Sequence, residues 1–367
     1  MSQRERLVSV DALRGFDMFW IIGADALVGS LKHISDAPWV QLIVTQLEHA
    51  EWEGFRFYDL IFPLFVFLVG LSSVFSLGRI DRELGRQAAY ERLARRAILL
   101  YLLGLFYYGG LPPESTTPMF RYVGVLQRLA ICYFFAGLIF LNLRWKGILA
   151  TTVLLLVGYW VLLMWIPGPG FAAGALSEPG QNWTHYVDQH YLPGYKWDGQ
   201  WDPEGLLSHI PAVASALLGV LAGLVLRDES FQPWRRVGLF VAAGVGCLVL
   251  GYLWGLQFPI IKKLWTSSYV LVAGGWSLLL LALFYVVIDI YQYRTWAQPF
   301  VWIGLNPIAV YMATGLVNPN DLVRRVIHSD VEAAMAPYGE LVVSLLGLSL
   351  AVGFCYWLYQ RRIFIRI

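Results

Sequence analysis

The sequence predicts an all-α polytopic membrane protein, and two observations support that prediction. Of the 367 residues, 58% are apolar and only 14% are charged, whereas a soluble domain has about 25% charged residues. The apolar residues form continuous runs of about 19 residues, the length that a helix needs to cross a bilayer. Strands of an outer-membrane barrel would instead be about ten residues long and alternate with polar residues.

The apolar runs predict ten transmembrane helices. An even number of spans places both termini on the same side of the membrane. The predicted spans are residues 10–31, 58–78, 93–110, 122–142, 147–166, 208–226, 236–256, 267–290, 299–317 and 340–359.

The distribution of positive charge predicts the orientation of these spans. Seventeen of the 27 Lys and Arg residues lie in the termini and in alternate connections, and eight lie in the opposite connections. Since cytoplasmic loops are enriched in Lys and Arg, both termini are expected in the cytoplasm. A net charge of +2 without a basic block argues against nucleic-acid binding. The three cysteines lack ligand spacing, so no metal site is expected.

We expect residues 1–367 to form one transmembrane domain with an aromatic-rich outer loop at 167–207, the longest stretch without a predicted helix. A loop longer than about 15 residues tends to be functional or disordered, and the large aromatic side chains argue against disorder. They would either stack on sugar rings or form an interfacial belt. These aromatic residues are Trp183, Tyr186, Tyr191, Tyr195, Trp197 and Trp201.

Ionisable residues inside a span are costly and usually pair, line a cavity or mark a substrate path. The first span contains Asp11, Arg14, Asp17 and Asp25. Asp11 and Arg14 are three residues apart, so a local ion pair is one interpretation. Asp25 lies deeper, where its short side chain reaches the interface poorly, and it therefore predicts a hydrated cavity.

His49 stands in an acidic segment before the second span. Glu48, Glu51 and Glu53 flank it, and Asp59 falls in the first turn of the span. A carboxylate next to a histidine can orient one tautomer, and such a histidine can accept a proton from a weak nucleophile. The alternative interpretation is an ordinary solvated loop histidine.

Two further polar residues fall inside predicted spans. Arg128, in GVLQRL, keeps its charge and requires either a carboxylate, such as Asp59 or Asp25, or an anionic ligand. Asn306, in WIGLNPIAVYM, binds a ligand, belongs to a structural kink at Pro307 or contacts a neighbouring helix.

The segment WDPEG, residues 201–205, introduces the sixth span. Pro203 fits the start of a helix and Asp202 fits its cap. Glu204 would then face the outer mouth of the protein.

Several motifs together resemble the heparan-α-glucosaminide N-acetyltransferase family and its bacterial, NagX-like relatives. They follow one another in order over nearly the whole chain, which makes the set more specific than any single motif. The motifs are RLVSVDALRGFDMFWIIG (6–23), HAEWEGFRFYDLIFPLFVFLVG (49–70), GVLQRLAICYF (124–134), DPEGLLSHIPAVASALLGVLAG (202–223) and GLNPIAVY (304–311).

This resemblance implies transfer of an acetyl group from cytosolic acetyl-CoA to the amine of glucosamine or a related amino sugar on the outer side. It also implies a bacterial inner-membrane location and a homodimer. The active histidine of the family lies in an H-A-x-W-x-G motif, which falls on His49, and the aspartate that follows falls on Asp59. These two residues are the expected catalytic pair.

The remaining site residues follow from the chemistry of the two substrates. Phosphates pair well with Arg, an oxyanion needs positive or amide donors, and a sugar needs carboxylates and aromatic rings. The residues expected to bind acetyl-CoA are Arg14, Arg95, Arg96, Arg128 and Asn306. Those expected to bind the acceptor are Asp25, Glu51, Trp52, Trp201 and Glu204.

Two other functions fit part of the sequence. A secondary transporter of a sugar derivative also has many spans, intramembrane charges and broken helices, but no inverted repeat is visible and a carrier needs no histidine at its outer mouth. A structural scaffold leaves Asp25 and Arg128 unexplained.

Cysteine labelling tests the predicted orientation. In intact cells, a membrane-impermeant thiol reagent should label Ser177→Cys in the 167–207 loop and leave Ser2→Cys unlabelled, because the two positions lie on opposite sides. Labelling of Ser2→Cys would reject the orientation.

Overall fold

The computed structural model describes residues 7–32, 34–35, 37–109, 120–327 and 334–365, and only the main chain at positions 24 and 25. Within these ranges every regular element is a helix, apart from three isolated bridges between single residues. The predicted all-α architecture is therefore confirmed. Ser2, one of the two labelling positions, lies outside the described residues, whereas Ser177 is exposed.

The chain folds into two compact units. The first comprises Met1–His49, Arg56–Phe62 and Leu280–Ile367, and the second comprises Ala50–Phe55 and Pro63–Leu279. That the whole chain acts as a single transmembrane domain stays a prediction.

The helices of the first unit come from both ends of the chain. In this unit α1 packs along α12, and α15 packs against α2, α12 and α14. The helices are α1 (Val8–Ile21), α2 (Ala24–Lys32), α3 (Pro38–Gln46), the first residues of α4 (Phe57–Leu84), a π-helical turn (Tyr285–Ile290), α12 (Gln298–Leu305), α13 (Pro307–Leu316), α14 (Pro319–Val326) and α15 (Gly339–Gln360).

The second unit is built from the middle of the chain. Here α6 packs against α5 and α9, and α9 also packs against α7. Besides the rest of α4, its helices are α5 (Arg86–Gly109), α6 (Val125–Asn142), α7 (Trp145–Trp165), α8 (Trp183–Tyr191), α9 (His209–Arg227), α10 (Pro233–Gly255) and most of α11 (Ser267–Phe284).

Seven helices of the described chain are long and apolar enough to cross a membrane, and an eighth span results if the bent pair α12 and α13 counts as one. The seven correspond to predicted spans 58–78, 122–142, 147–166, 208–226, 236–256, 267–290 and 340–359, with ends that differ by at most a few residues except in α4, which runs on to Leu84. The polytopic character is thus confirmed, while the count of ten and the side of the termini stay predictions.

The first and third predicted spans differ from the expectation. The segment 10–31 is two helices, because the chain leaves helical geometry at Ile22 and Gly23, and glycine is a poor helix former. Residues 93–109 of the third predicted span lie on α5, which carries Arg92, Arg95 and Arg96 in its first half and is not one of the seven helices above. Residue 110 lies outside the described residues.

The ninth predicted span is broken rather than merely kinked. The axes of α12 and α13 differ by 81°, and Asn306 is the junction residue with φ −132°. Pro307 occupies the first position of α13, where its missing N–H costs nothing.

The 167–207 loop is not free of regular structure, contrary to the prediction. It contains α8, which begins after Asn182 because the Asn182 carboxamide oxygen accepts the main-chain N–H of His185 at 3.1 Å. The helix predicted to start at Pro203 begins at His209 instead, and the main chain makes a turn at 203–204.

Glycines allow two helix pairs to approach closely. In the first unit, Gly15 of α1 lies against the main chain of α12. In the second unit, a Cβ added at Gly70 of α4 would collide with the carbonyl oxygen of Ala216 in α9. Without a hydrophobic driving force between helices in lipid, such close contacts supply much of the packing energy.

Gly70→Ala should therefore destabilise the second unit. Overpacking against rigid main chain costs about 1–3 kcal/mol, and the midpoint of thermal unfolding in nanodiscs should fall. The matched control is Gly246→Ala in α10, where an added Cβ meets no atom within 4 Å. Equal unfolding midpoints for the two variants would contradict the packing of α4 on α9.

Candidate active site

The start of α4 fixes the position of Asp59. Asp59 lies in the first helical turn, where its Oδ2 accepts the main-chain N–H of Arg56 at 3.1 Å, and its own N–H donates to the Arg56 carbonyl at 3.0 Å. This is one half of a capping box, in which a side chain in the first turn satisfies the N–H of the residue before the helix. The carboxylate is thereby held by local structure.

Asp59 and His49 form a direct hydrogen bond. His49 Nδ1 lies 2.8 Å from Asp59 Oδ1. The Asp59 side chain is fully buried, whereas 51% of the His49 side chain is exposed. A carboxylate accepts a hydrogen bond from the protonated Nδ1, and this tautomer leaves Nε2 as the basic nitrogen of the ring. The predicted proximity of these two residues is therefore present in the first unit.

Two residues that the sequence did not single out also hold His49. The ring of Tyr58 stacks on the imidazole at 4.7 Å between centroids, with an interplanar angle of 28°. The Arg56 guanidinium donates to the His49 carbonyl oxygen at 3.0 Å. Both residues lie within three positions of Asp59 in FRFYD. Their place at the start of the apolar run is the sequence feature that could have indicated them.

This arrangement is suited to proton transfer. A buried acceptor orients an accessible imidazole and stabilises the imidazolium that forms when Nε2 takes a proton, which is the role of the carboxylate in a catalytic triad.

A second polar cluster lies in the second unit and organises the 167–207 loop. Arg121 binds Asp202 through two hydrogen bonds of 2.8 and 2.7 Å and Glu204 through one of 2.6 Å. The guanidinium also lies over the rings of Tyr108 and Trp197, at 4.6 and 5.1 Å. Asp202 therefore binds an arginine far away in sequence and does not cap α9 as predicted.

Burial and this ion pair affect the carboxyl groups of the loop differently. Burial opposes ionisation of Asp202, but its hydrogen bonds with Arg121 outweigh that cost and hold its pKa below the usual range. Burial raises the pKa of Glu204. Burial also raises the pKa of Asp188 to about 6, although the main-chain N–H groups of Leu206 and Asp202 donate to its carboxylate.

Arg128 is completely buried in the same unit. Its Nη2 donates to the Pro203 carbonyl oxygen at 3.0 Å and to the Ser208 hydroxyl, and its guanidinium lies 4.5 Å from the centre of the Trp265 ring. Glu204 lies close enough for the positive charge of Arg128 to favour ionisation of its carboxyl, against the larger effect of burial, which raises its pKa. Pro203, Glu204 and Ser208 belong to the segment before α9, and Trp265 precedes α11. Whether Arg128 also pairs with Asp59 or Asp25, or binds an anionic ligand, stays a prediction.

The aromatic residues expected to bind the acceptor pack on one another. Trp52 donates from Nε1 to the Leu176 carbonyl oxygen at 2.7 Å and meets Trp201 edge to face at 6.1 Å. Trp201 is only 7% exposed because His185 stacks on it at 3.9 Å. Glu51 is exposed, and the side chain of Asp25 lies outside the described residues.

The residues expected to bind acetyl-CoA are distributed over both units. In the first, Arg14 donates to the Gly304 carbonyl oxygen at 3.3 Å, and the Asn306 carboxamide binds the Ile363 carbonyl oxygen and the Ile365 N–H at 2.9 and 2.7 Å. In the second, Arg95 is exposed and Arg96 lies over the Tyr133 ring at 4.7 Å.

Arg121→Gln should unfold the loop cluster. Removing one partner of a buried ion pair costs about 3–5 kcal/mol because it leaves charge uncompensated, so limited proteolysis within 167–207 should accelerate. Lys263→Gln is the control, since it removes a partly exposed pair with Asp198 that is worth about 1 kcal/mol or less. The Arg121→Gln/Glu204→Gln double variant should recover part of the protection; no recovery would contradict the assignment.

Comparison with known proteins supports the resemblance seen in the sequence. A family model described as heparan-alpha-glucosaminide N-acetyltransferase, catalytic, matches residues 6–189, half of the chain, including His49, Asp59 and Arg128. The chain is 28% identical to heparan-alpha-glucosaminide N-acetyltransferase of Homo sapiens over 366 residues, covering 84% of this chain and 52% of that protein. It is 26% identical to the Mus musculus protein of the same name over 378 residues, covering 87% and 56%.

The chain thus spans about half the length of the curated relatives it matches. Because the family match extends over half of its residues and includes the His49–Asp59 pair, the chain belongs to the heparan-alpha-glucosaminide N-acetyltransferase catalytic family.

Proposed function

We propose that the chain transfers an acetyl group from acetyl-CoA to the amine of glucosamine or a related amino sugar. The observation that carries this proposal is the 2.8 Å hydrogen bond between a half-exposed His49 and a fully buried Asp59. Family membership supports it, since the relatives are named for N-acetyl transfer to a glucosaminide.

In the direct route, His49 acts as a general base. The neutral amine attacks the thioester carbon, and Nε2 takes the proton from nitrogen as the C–N bond forms. The C–S bond then breaks, and the same proton passes to the departing sulfur, so that the products are the N-acetyl sugar and CoA thiol. Asp59 stabilises the transient imidazolium.

In the alternative route, His49 is the nucleophile. Nε2 attacks the thioester carbon and the C–S bond breaks, so that CoA leaves as a thiolate and a cationic acetyl-imidazole remains beside the Asp59 carboxylate. The amine then attacks the acetyl carbon, the bond from that carbon to Nε2 breaks, and the proton that the amine loses passes to the CoA thiolate, which regenerates the neutral ring and gives the N-acetyl sugar and CoA thiol. Both routes use the tautomer that Asp59 selects.

The arginines suit the phosphate end of acetyl-CoA. Arg95 and Arg96 lie on α5, a helix with two further basic residues, Arg86 and Arg92, and phosphates bind guanidinium groups strongly. Arg14 is a further candidate in the first unit. Arg128 or Asn306 would donate to the developing oxyanion, but the Asn306 carboxamide would first have to release residues 363–365.

We further propose that the reaction crosses the bilayer, with acetyl-CoA in the cytoplasm and the acceptor outside. The partition of Lys and Arg supports this orientation, and the resemblance supports a bacterial inner membrane and a homodimer. Asp25, Glu51, Trp52, Trp201 and Glu204 remain the proposed acceptor residues, and the burial of Trp201 gives it a supporting rather than a direct role.

His49→Ala should abolish turnover while acetyl-CoA still binds. Loss of a general base typically lowers the rate about 10²- to 10⁴-fold. The assay is incubation of purified protein with labelled acetyl-CoA and glucosamine, followed by detection of labelled N-acetylglucosamine. Asp59→Asn should lower turnover on a similar order, because an amide no longer stabilises the imidazolium.

Two controls make this assay decisive. His33→Ala, sixteen residues earlier, should retain turnover, and unfolding midpoints should show that every variant is folded. Label left on His49 by acetyl-CoA alone would select the nucleophilic route, and its absence would select direct attack. Near-normal turnover by folded His49→Ala would reject both routes. A carrier would form no labelled product even with His49 in place.

A further inference from the structure

The 167–207 loop divides into a buried scaffold and an exposed face. The scaffold consists of buried side chains that bind other groups of the second unit, so they are already engaged within the protein. They are Asn182, His185, Asp188, Trp201 and Asp202. The aromatic and amide groups that remain available are those of the exposed face.

A cavity of about 420 Å³ opens on this exposed face. Its size falls within the range of roughly 300–1,000 Å³ that is usual for small-molecule sites. We call it the loop pocket. Its lining includes Gly170, Phe171, Gln181, Tyr186, Gln189 and His190, and none of the lining residues is an acid, a lysine or an arginine.

The aromatic rings that line the loop pocket pack on one another and on a neighbouring tryptophan. Tyr186 packs against His190 at 4.1 Å and against Phe171 at 6.2 Å between ring centroids. Trp183 holds both Tyr186 and Phe171 edge to face at 5.7 Å. The stacking surface therefore does not depend on a single mobile side chain.

The loop pocket also offers hydrogen-bonding groups beside these rings. His190 Nδ1 donates to the Tyr186 carbonyl oxygen at 2.8 Å, which leaves Nε2 as an acceptor. Gln181 and Gln189 are exposed and each offers donors and an acceptor. Gly170 and Gly180 have φ of +86° and +103°, a conformation that glycine adopts readily, so at these two lining positions the pocket is bordered by main chain without a side chain.

We propose that the loop pocket binds an uncharged pyranose ring of a glycan. The apolar face of such a ring stacks on an aromatic side chain, while its hydroxyl or acetamido groups pair with amides and with an imidazole acceptor. The absence of cationic groups among the lining residues gives sulfated sugars no charge partner. The site is a binding site only, and acetyl transfer is not required for it.

Glycan binding to the full-length His49→Ala protein tests this proposal separately from catalysis. The protein is placed in nanodiscs free of sugar-based detergent and titrated calorimetrically with the β-1,4-linked trimer of N-acetylglucosamine. Tyr186→Ala should weaken binding about tenfold through the loss of ring contact. Tyr191→Ala is the matched control, because Tyr191 is 68% exposed on the same helix and does not line the pocket.

Further variants separate stacking from general damage to the loop. Tyr186→Phe keeps the ring and should retain binding, and Gln189→Ala should weaken it more than Gln200→Ala. No binding of the trimer, equal weakening by Tyr186→Ala and Tyr191→Ala, or tighter binding of a sulfated disaccharide than of the trimer would overturn the proposal.

Discussion

The hydrogen bond between His49 and Asp59 is the interaction on which the proposed chemistry depends. It joins an imidazole that is half exposed to a carboxylate that solvent does not reach. An ionised carboxylate in such surroundings must be compensated, and here the Arg56 N–H and the imidazole supply that compensation. Because α4 fixes Asp59 in its first turn, the orientation of His49 follows from the position where the apolar helix begins.

Buried charge also explains the order of the 167–207 loop. A segment rich in glycine and proline has little intrinsic tendency to hold one conformation, yet Arg121 and Arg128 each bind two positions in residues 202–208. Breaking such contacts would leave groups desolvated without partners. The loop therefore keeps its aromatic residues in fixed places, some buried as support and others exposed on its surface.

The length of the continuous apolar runs predicted most of the helices, because such runs have few alternatives to a spanning helix. The α11 segment agrees with the predicted 267–290 when its π-helical end is included. The pairing of His49 with Asp59 was also predictable, since a loop and the helix that follows it are neighbours in sequence. By contrast, helices are interrupted at Gly23 and Asn306, where the mean hydropathy over a span-length window stays high and so does not show the break.

Long-range partners were the part that sequence reasoning missed. Asp202 was interpreted as a helix cap because Asp before Pro often is one, but its partner Arg121 is 81 residues earlier. Nothing in the local sequence distinguishes these two uses of a carboxylate. The same limit applies to Trp201, whose burial depends on His185 and Trp52 and therefore on the folded loop.

Transfer across a sealed membrane tests the central claim most directly. Proteoliposomes containing glucosamine in the lumen would receive labelled acetyl-CoA outside, and the lumenal sugars would be separated after the external label has been removed. Labelled N-acetylglucosamine should accumulate in the lumen with the unaltered protein and be absent with folded His49→Ala. Equal lumenal product from both proteins, or product only on the acetyl-CoA side, would contradict transmembrane acetyl transfer at His49.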